Sequence, residues 1–456
     1  MLVVFGAVVV GTLCSPLRQI SSDTVPGRLG AAVLRCGGGF DLRTVDWIAE
    51  RADAGRLPYW ARPSGDRIVS VFGPGPAVAG ALALPDLAGA PGLAAHGELD
   101  DAMLRRRERI TAAVLLGVAA ALLVLASSAR RGPLVSAGTG LLAAASFAGA
   151  ATLGQGLWQQ TVALPPLIAA LAALAWRHRA PRCAIGVPAL LALAVLLRPT
   201  MAPVAAGLGV AWCLGERRAS TSAHGPDGFS LRRAAGALGL AAIAVAPLLA
   251  WNLVELGHLV PTQQLEANAR VTEHIFVLTR AQLGYGLGGL LLSPGRGWLW
   301  FAPIALVGGV VAARAGDRLA RCLAAGIAAQ LLVVAVFHMW WGGICFGPRF
   351  LGEATWVGIW LALGHGGLPG RIPRALLGAA IAVTIIVGQL GLWGWRAEQW
   401  ETRRNPDIDQ NALWDFADSP VIAILTADIT DQLLALDAPD APLRMRCEHG
   451  RLRRAP

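Results

Sequence analysis

The sequence predicts an all-α membrane protein of about eleven transmembrane helices, with surface helices in a long first outer loop. Three observations carry this prediction. Apolar residues make up 55% of the 456 residues. Charged residues make up only 15%, and mean hydropathy is +0.54. Apolar runs also recur along the chain at about the 20-residue length that crosses a bilayer. A soluble domain carries about 25% charged residues, so this chain has too little charge to coat a water-facing surface. The same composition excludes a disordered chain, a disulfide scaffold and a collagen-like chain.

Taken in order, residues 1–14 are apolar, with no basic segment before them and no small-residue cleavage site after them. They read as a first span rather than a signal peptide. Residues 15–108 are semi-polar and form the first outer loop. Within that loop residues 69–90 are apolar enough to suggest a span. Pro74, Pro76 and Pro85 break the run and Asp86 interrupts it, so it is expected as a helix lying at the outer surface. Spans then follow at about 110–128, 133–156, 163–176, 183–197, 200–214, 235–256, 297–313, 320–338, 353–365 and 374–396. The organisation is therefore a first span (1–14), an outer loop (15–108), a helical bundle (109–396) and a polar tail (397–456).

The net charge is +10, and all 39 basic residues are arginine. They fall in short clusters between apolar runs rather than along one face, which excludes a nucleic-acid partner. The clusters at Arg130 and Arg131, Arg177 to Arg182, Arg217 to Arg233, Arg314 to Arg321 and Arg371 to Arg374 share one side if the spans alternate. The positive-inside rule places that side in the cytoplasm. The first loop then lies outside, as does the basic tail around Arg444, Arg446 and Arg451. The seven cysteines show no zinc spacing. Cys183, Cys213 and Cys322 read as packing residues, and a disulfide among Cys36, Cys345 and Cys447 is open.

The apolar runs hold almost no charge, and the unusual polar and aromatic residues gather at outer span ends. Intramembrane charge marks function, and a transporter needs a polar site near the midplane. A site at one membrane face fits better. Asp23 follows the first span, where it serves either as a base or as the cap of a short helix. Asp41 and Asp46 read as loop-forming residues, although they and Glu266 stay rivals to Asp23. Trp158, Gln159 and Gln160 occupy a tight outer turn, as belt anchors or sugar-binding groups. Arg198 breaks a long apolar run before Pro199. The second large outer loop, residues 252–296, holds Asn252, Glu255, His258, Gln263, Gln264, Glu266 and Tyr285. It ends in Ser293-Pro294-Gly295-Arg296-Gly297, a turn suited to an anion. The densest block is His338-Met339-Trp340-Trp341-Gly342-Gly343, followed by Cys345-Phe346-Gly347-Pro348-Arg349-Phe350. Its glycines permit close approach, its aromatics offer stacking surfaces, and Arg349 can hold a phosphate in bidentate fashion.

In order, these blocks resemble bacterial membrane glycosyltransferases of the GT-C superfamily. The resemblance rests on Asp23-Thr24-Val25-Pro26-Gly27-Arg28 with Gly39-Phe40-Asp41-Leu42, and on Leu157-Trp158-Gln159-Gln160, where Gln160 replaces a histidine. It continues through Arg198-Pro199-Thr200, Leu292-Ser293-Pro294-Gly295-Arg296-Gly297, and Trp341-Gly342-Gly343 with Gly347-Pro348-Arg349-Phe350. Trp414-Asp415-Phe416 with Asp418-Ser419-Pro420 completes it, so it covers about residues 1–420. It implies a multi-span bundle that moves a sugar from a polyprenyl-phosphate carrier to a glycan, lipid or protein acceptor on the outer side of a bacterial inner membrane. By the same carry-over Asp23 is the catalytic base of an inverting displacement, and Arg198, Arg296 and Arg349 hold the donor phosphate. Trp158, Gln159, Gln160, Tyr285, His338 and Trp341 are candidates to bind sugar or acceptor. No cofactor is implied beyond the lipid-linked donor, and a divalent metal stays open. The alternatives are a lipid-linked sugar flippase or an inactive family member that assists envelope assembly.

Overall fold

The computed structural model describes residues 1–15, 23–83, 98–214, 231–257, 259, 276–343, 345–366, 373–394, 400, 404–426, 444–448 and 451–454. Pro85, Asp86, Arg217, His258, Gln263, Gln264, Glu266 and Arg371, singled out above, lie outside the described residues. The helices are Leu2–Cys14 (α1), Val25–Arg35 (α2), Asp46–Asp53 (α3), Gly75–Ala83 (α4), Asp101–Ser128 (α5), Pro133–Ala145 (α6), Gln159–Trp176 (α7), Val187–Leu197 (α8) and Ala202–Leu214 (α9). They continue with Leu231–Leu256 (α10), Arg280–Leu292 (α11), Trp298–Phe301 (α12), Pro303–Ala315 (α13), Arg318–Ala335 (α14), Gly352–Ile359 (α15), Arg374–Gly394 (α16) and Pro420–Thr426 (α17).

Among the described residues, five helices are long and apolar enough to cross a membrane, in α5, α7, α10, α14 and α16. A sixth span results if α6 is counted with the π-helix Phe147–Leu153, from which it is bent by 45°. Ser146 makes that bend. Its backbone is extended, and its hydroxyl accepts from the Gly149 N–H while donating to Ala143 O at 2.7 Å. Shorter apolar helices occupy Leu2–Cys14, Pro181–Leu197, Pro199–Leu214 and Pro303–Arg314. Arg198 separates two of them. Its backbone is extended (φ −151°, ψ 100°), as the following Pro199 requires.

Helix α5 is the spine and packs against α1, α6 and α7. At 28 residues it runs about 42 Å, longer than the roughly 30 Å hydrocarbon core, so its first turns, with Arg105 to Arg109, stand clear of the apolar run. Arg109 caps the end of α1 there, donating to Thr12 O, Ser15 O and the Ser15 hydroxyl.

The first outer loop folds over its own core of Leu29, Ala32, Val33, Leu42, Ile48, Trp60 and Ile68. Leu29, Ala32 and Val33 recur at helical spacing on α2. Gly27 and Gly30 let α4 close on that helix, since a Cβ at either would stand 2.8 Å from Pro76 or Ala77. Two features depart from expectation. The segment expected as one surface helix over 69–90 starts as a strand. Ala61–Ser64 (β1) and Arg67–Ser70 (β2) form a hairpin, with Ala61 opposite Ser70 and Ser64 opposite Arg67. Gly65, at φ +60°, makes its two-residue turn, and among the described residues of that segment the helix is Gly75–Ala83. The tail is not simply polar chain either. Glu98–Asp100 (β3), Arg444–Glu448 (β4) and Arg451–Arg454 (β5) form one antiparallel sheet. The basic tail therefore sits with the first loop. Cys36 in that loop is disulfide-bonded, and Cys345 is a buried thiol whose Sγ lies 3.3 Å from Gly347 O.

The bundle has two polar ends. At one, Arg130 pairs with Asp317 at 2.8 Å, and Arg131 donates to Leu363 O at 3.0 Å. Arg177 reaches Ala211 O and Arg318 reaches Leu214 O at the same end. His365 Nε2 lies 3.0 Å from Asp317 Oδ1. Burial alone would raise the Asp317 carboxyl, but the His365 contact, the Ala320 N–H and the Arg130 charge hold it well below the usual carboxylate range. A depressed carboxyl stabilises the fold above its unfolded pKa of about 4 and stops doing so as pH falls through its folded value. Asp317→Asn is therefore expected to lower the thermal midpoint at pH 7, and to narrow its gap from wild type in scans below pH 4.

Candidate active site

The other end gathers the residues singled out above. Helix α2 starts with Thr24 as its N-cap and Pro26 in its first turn, and Thr24 makes no side-chain cap bond. Asp23 is not the cap. Its carboxylate turns across the bundle instead. The Tyr59 hydroxyl donates to Oδ1, and Arg349 Nη1 donates to Oδ2 at 2.5 Å. The Asp23 and Arg349 side chains keep 19% and 13% exposure, so the pair can be reached from outside the fold. Tyr59 stands edge-on to Phe72 in the first loop, with centroids 6.3 Å apart. Asp41, by contrast, builds the loop itself, accepting from the N–H groups of Arg43 and Ile68.

The guanidinium of Arg349 lies 4.8 Å over the Trp158 ring and 5.4 Å from the Phe350 ring. The turn carrying Trp158 is fixed by Glu108 of α5. That carboxylate accepts from the Leu157 N–H at 2.9 Å and from Arg28 at 3.1 Å, which ties α2, α5 and the turn together. Gln159 donates to Phe72 O, and Gln160 donates to Arg349 O at 3.1 Å.

Arg198 stands behind this pair. It is 3% exposed, its Nε lies 3.7 Å from Glu353 Oε1, and its guanidinium is 5.8 Å from the Phe350 ring. One aromatic ring thus contacts two guanidinium groups. Gln330 completes the layer, donating to Glu353 Oε1 and to Phe350 O, both at 2.7 Å. Burial lowers the Arg198 guanidinium to about 10, and the Glu353 charge works against that fall. Burial, the largest single influence, acts to lower Arg349, but the charge and hydrogen bond of Asp23, with smaller contributions from Cys345 and Tyr59, together raise the group.

Arg296 is placed differently from a ligand-facing arginine. It is fully buried, and its guanidinium donates to Trp341 O, Gly295 O and Gly343 O at 2.9–3.1 Å. It clamps the glycine loop from inside. Gly342 sits at φ +83°, and a Cβ there would stand 3.0 Å from Arg349 Cγ. The loop that Arg296 holds therefore packs on the stem of Arg349. Trp341 is buried and donates to Asp407 Oδ1 at 2.8 Å. His338 lies 6.3 Å from the Trp341 ring. Tyr285 stacks edge-on to Trp340, and its hydroxyl accepts from Trp414.

Asp23, Arg349, Trp158, Gln159 and Gln160 are thus brought into one cluster. Arg198 is one ring removed from it. Trp341, His338 and Tyr285 belong to an aromatic wall with Trp340, and Arg296 clamps the Gly342 loop that joins it to the cluster. Sequence reasoning missed Tyr59, Glu108, Gln330 and Glu353. Gln330 falls inside the predicted span 320–338, and Glu353 opens the span 353–365, so polarity within an apolar run was the available signal. Among the described residues, no group of three His, Cys, Asp or Glu side chains converges as a metal site.

Two solved structures resemble the chain in overall arrangement. One is the Archaeoglobus fulgidus oligosaccharyltransferase tethered to an acceptor peptide containing the NVT sequon, at 12% identity and TM-score 0.41. The other is the archaeal oligosaccharyltransferase AglB, also from Archaeoglobus fulgidus, in complex with an inhibitory peptide and a dolichol-phosphate, at 14% identity and TM-score 0.39. Each likeness covers 92% of this chain and 60% of the other, so the chain spans about three fifths of the length of the structures it matches. At these TM-scores the likeness carries no weight in the functional reading. No protein-family model and no curated protein matches the sequence.

Proposed function

We propose that the chain is a GT-C-type membrane glycosyltransferase that moves a sugar from a polyprenyl-phosphate carrier to a hydroxyl acceptor on the outer face of a bacterial inner membrane. The observation that carries this reading is the reachable Asp23–Arg349 pair at one bundle end, walled by Trp158. A carboxylate and a guanidinium are the two groups that an inverting displacement from a phosphate leaving group needs. In the fold the two pair with each other. A donor phosphodiester competes for Arg349 and so frees Asp23 Oδ2 to accept a proton from the acceptor hydroxyl. That oxygen attacks the anomeric carbon, the bond from carbon to phosphate oxygen breaks, and the phosphate leaves ionised against Arg349. The proton stays on Asp23 until solvent removes it. Trp158, at 3% exposure, backs the Arg349 guanidinium with its ring face, and Tyr59 holds the carboxylate in aim.

Glu353 lies close by but is turned to Arg198 and Gln330. It acts as a fixed counter-ion, so one base serves the reaction and the anomeric centre inverts. The reading includes a finer topology. The shorter apolar helices and the segment from α15 into the π-helix Trp360–Gly364 also cross, which gives eleven spans. The arginine-rich end around Arg130, Arg131, Arg177 and Arg318 then faces the cytoplasm, and Asp23 faces outside.

The test is sugar transfer from a panel of polyprenyl-phosphate hexoses and pentoses, using membranes with and without the full chain. Transfer from at least one donor, above the level of membranes lacking the chain, is expected. Absence of transfer from every donor, with the protein folded, would overturn the reading in favour of transport or assembly.

A further inference from the structure

We infer that Gln160 and Gln330 are positioning residues that together set the Arg349 guanidinium for the donor phosphate, an inference that rests on the donor-binding role of Arg349 proposed above. Arg349 stands on the short 3-10 turn Arg349–Leu351. Two successive carbonyls of that turn each accept a side-chain amide from a different helix. Gln160 of α7 donates to Arg349 O at 3.1 Å, and Gln330 of α14 donates to Phe350 O at 2.7 Å. Both glutamines are buried, at 2% and 0% exposure, so neither presents an amide to a ligand.

Each glutamine also leaves its Oε1 buried without a hydrogen-bond partner. A buried carbonyl without a donor costs stability, and an apolar side chain of the same shape would avoid that cost. The arrangement is favourable only if the N–H groups are needed where they are. What they hold is the turn whose side chain reaches Asp23. Gln330 adds a second restraint through Glu353, whose partner Arg198 faces the same Phe350 ring as Arg349 does. The turn is thus held along its backbone by two amides and at its ring by two cations. A guanidinium on a flexible stem recognises a phosphate well only when that stem is pre-organised.

The test uses the purified full-length chain as Gln160→Met, Gln330→Met and the double variant. Methionine keeps the length and removes the donor. Two quantities are measured: binding of a long-chain polyprenyl phosphate, and hydrogen exchange of the backbone amides at 347–352. Each single change is expected to weaken binding about tenfold, with faster exchange in that segment. The double variant should lose less than the product of the two single losses, because both amides act on one turn. Unchanged exchange in the segment would overturn the positioning role. Faster exchange with unchanged binding would overturn its link to the phosphate. If the wild type binds no polyprenyl phosphate, the donor assignment itself fails, and the exchange data still decide whether the two glutamines hold the turn.

Discussion

Arg349→Met is expected to lower sugar transfer at least about a hundredfold, in line with removing one group aimed at developing charge, and to weaken donor binding as well. The size follows from how many contacts meet at this one side chain. It pairs with Asp23 at 2.5 Å, lies over Trp158 and Phe350, and supports the Gly342 loop along its stem. Methionine preserves the apolar stem and deletes the cation. The leaving phosphate then loses its counter-charge, and Asp23 loses its partner. Arg349→Lys should recover little. An ammonium cannot present two parallel N–H groups, and it does not stack on the rings as a planar guanidinium does. The rates of wild type, Arg349→Met and Arg349→Lys in one membrane preparation, with the amount of folded protein matched, check this. Near-wild-type transfer by Arg349→Met would remove the arginine from the reaction.

Glu353→Gln is expected to give the largest loss of stability of any single change near the site, about 3–5 kcal/mol, the range for removing one partner of a buried ion pair. Glu353 is 1% exposed and Arg198 is 3% exposed. Glutamine keeps the oxygen that accepts from Gln330 and removes only the charge, so the loss reports on Arg198 left uncompensated. The second arm is a double change, Arg198→Met with Glu353→Met, which takes out both charges. It should recover most of the stability, because a buried pair replaced by apolar groups of similar size is often neutral. Unfolding midpoints in detergent separate the two arms. A double variant no more stable than Glu353→Gln would show that the pair contributes more than mutual compensation.

What the sequence makes legible differs from residue to residue. The two-ended bundle is readable because arginine clusters and apolar runs alternate, and the structure gathers Arg130, Arg131, Arg177 and Arg318 at one end. Asp23 and Arg349 are readable as chemistry, since a lone acid after a span and an arginine in a glycine-rich aromatic block stand out. That they meet is not readable, because 326 residues separate them. Arg296 shows the opposite failure. Its turn looks suited to an anion, but the guanidinium folds inward onto three backbone carbonyls, and no local pattern reports which way a side chain turns. Gln160 looks like a sugar ligand for the same reason and instead holds the backbone of Arg349. The β1–β2 hairpin is missed because apolar content near Val69 outweighs the turn signal at Gly65 and Asp66. The sheet joining Glu98–Asp100 to the tail pairs strands too far apart in sequence for any local pattern to show.

Asp23 is the group on which the whole account depends, so the deciding measurement is single-turnover transfer by Asp23→Asn with donor already bound. Asparagine keeps the size and an acceptor oxygen for Tyr59 while removing the base and the charge that occupies Arg349. The transfer rate is expected to fall by about two orders of magnitude or more, a size typical of lost general-base catalysis, while donor binding is unchanged or tighter because Arg349 is released from its partner. A transfer rate within a few-fold of wild type would contradict it and shift attention to Asp46 or Glu266 as the base.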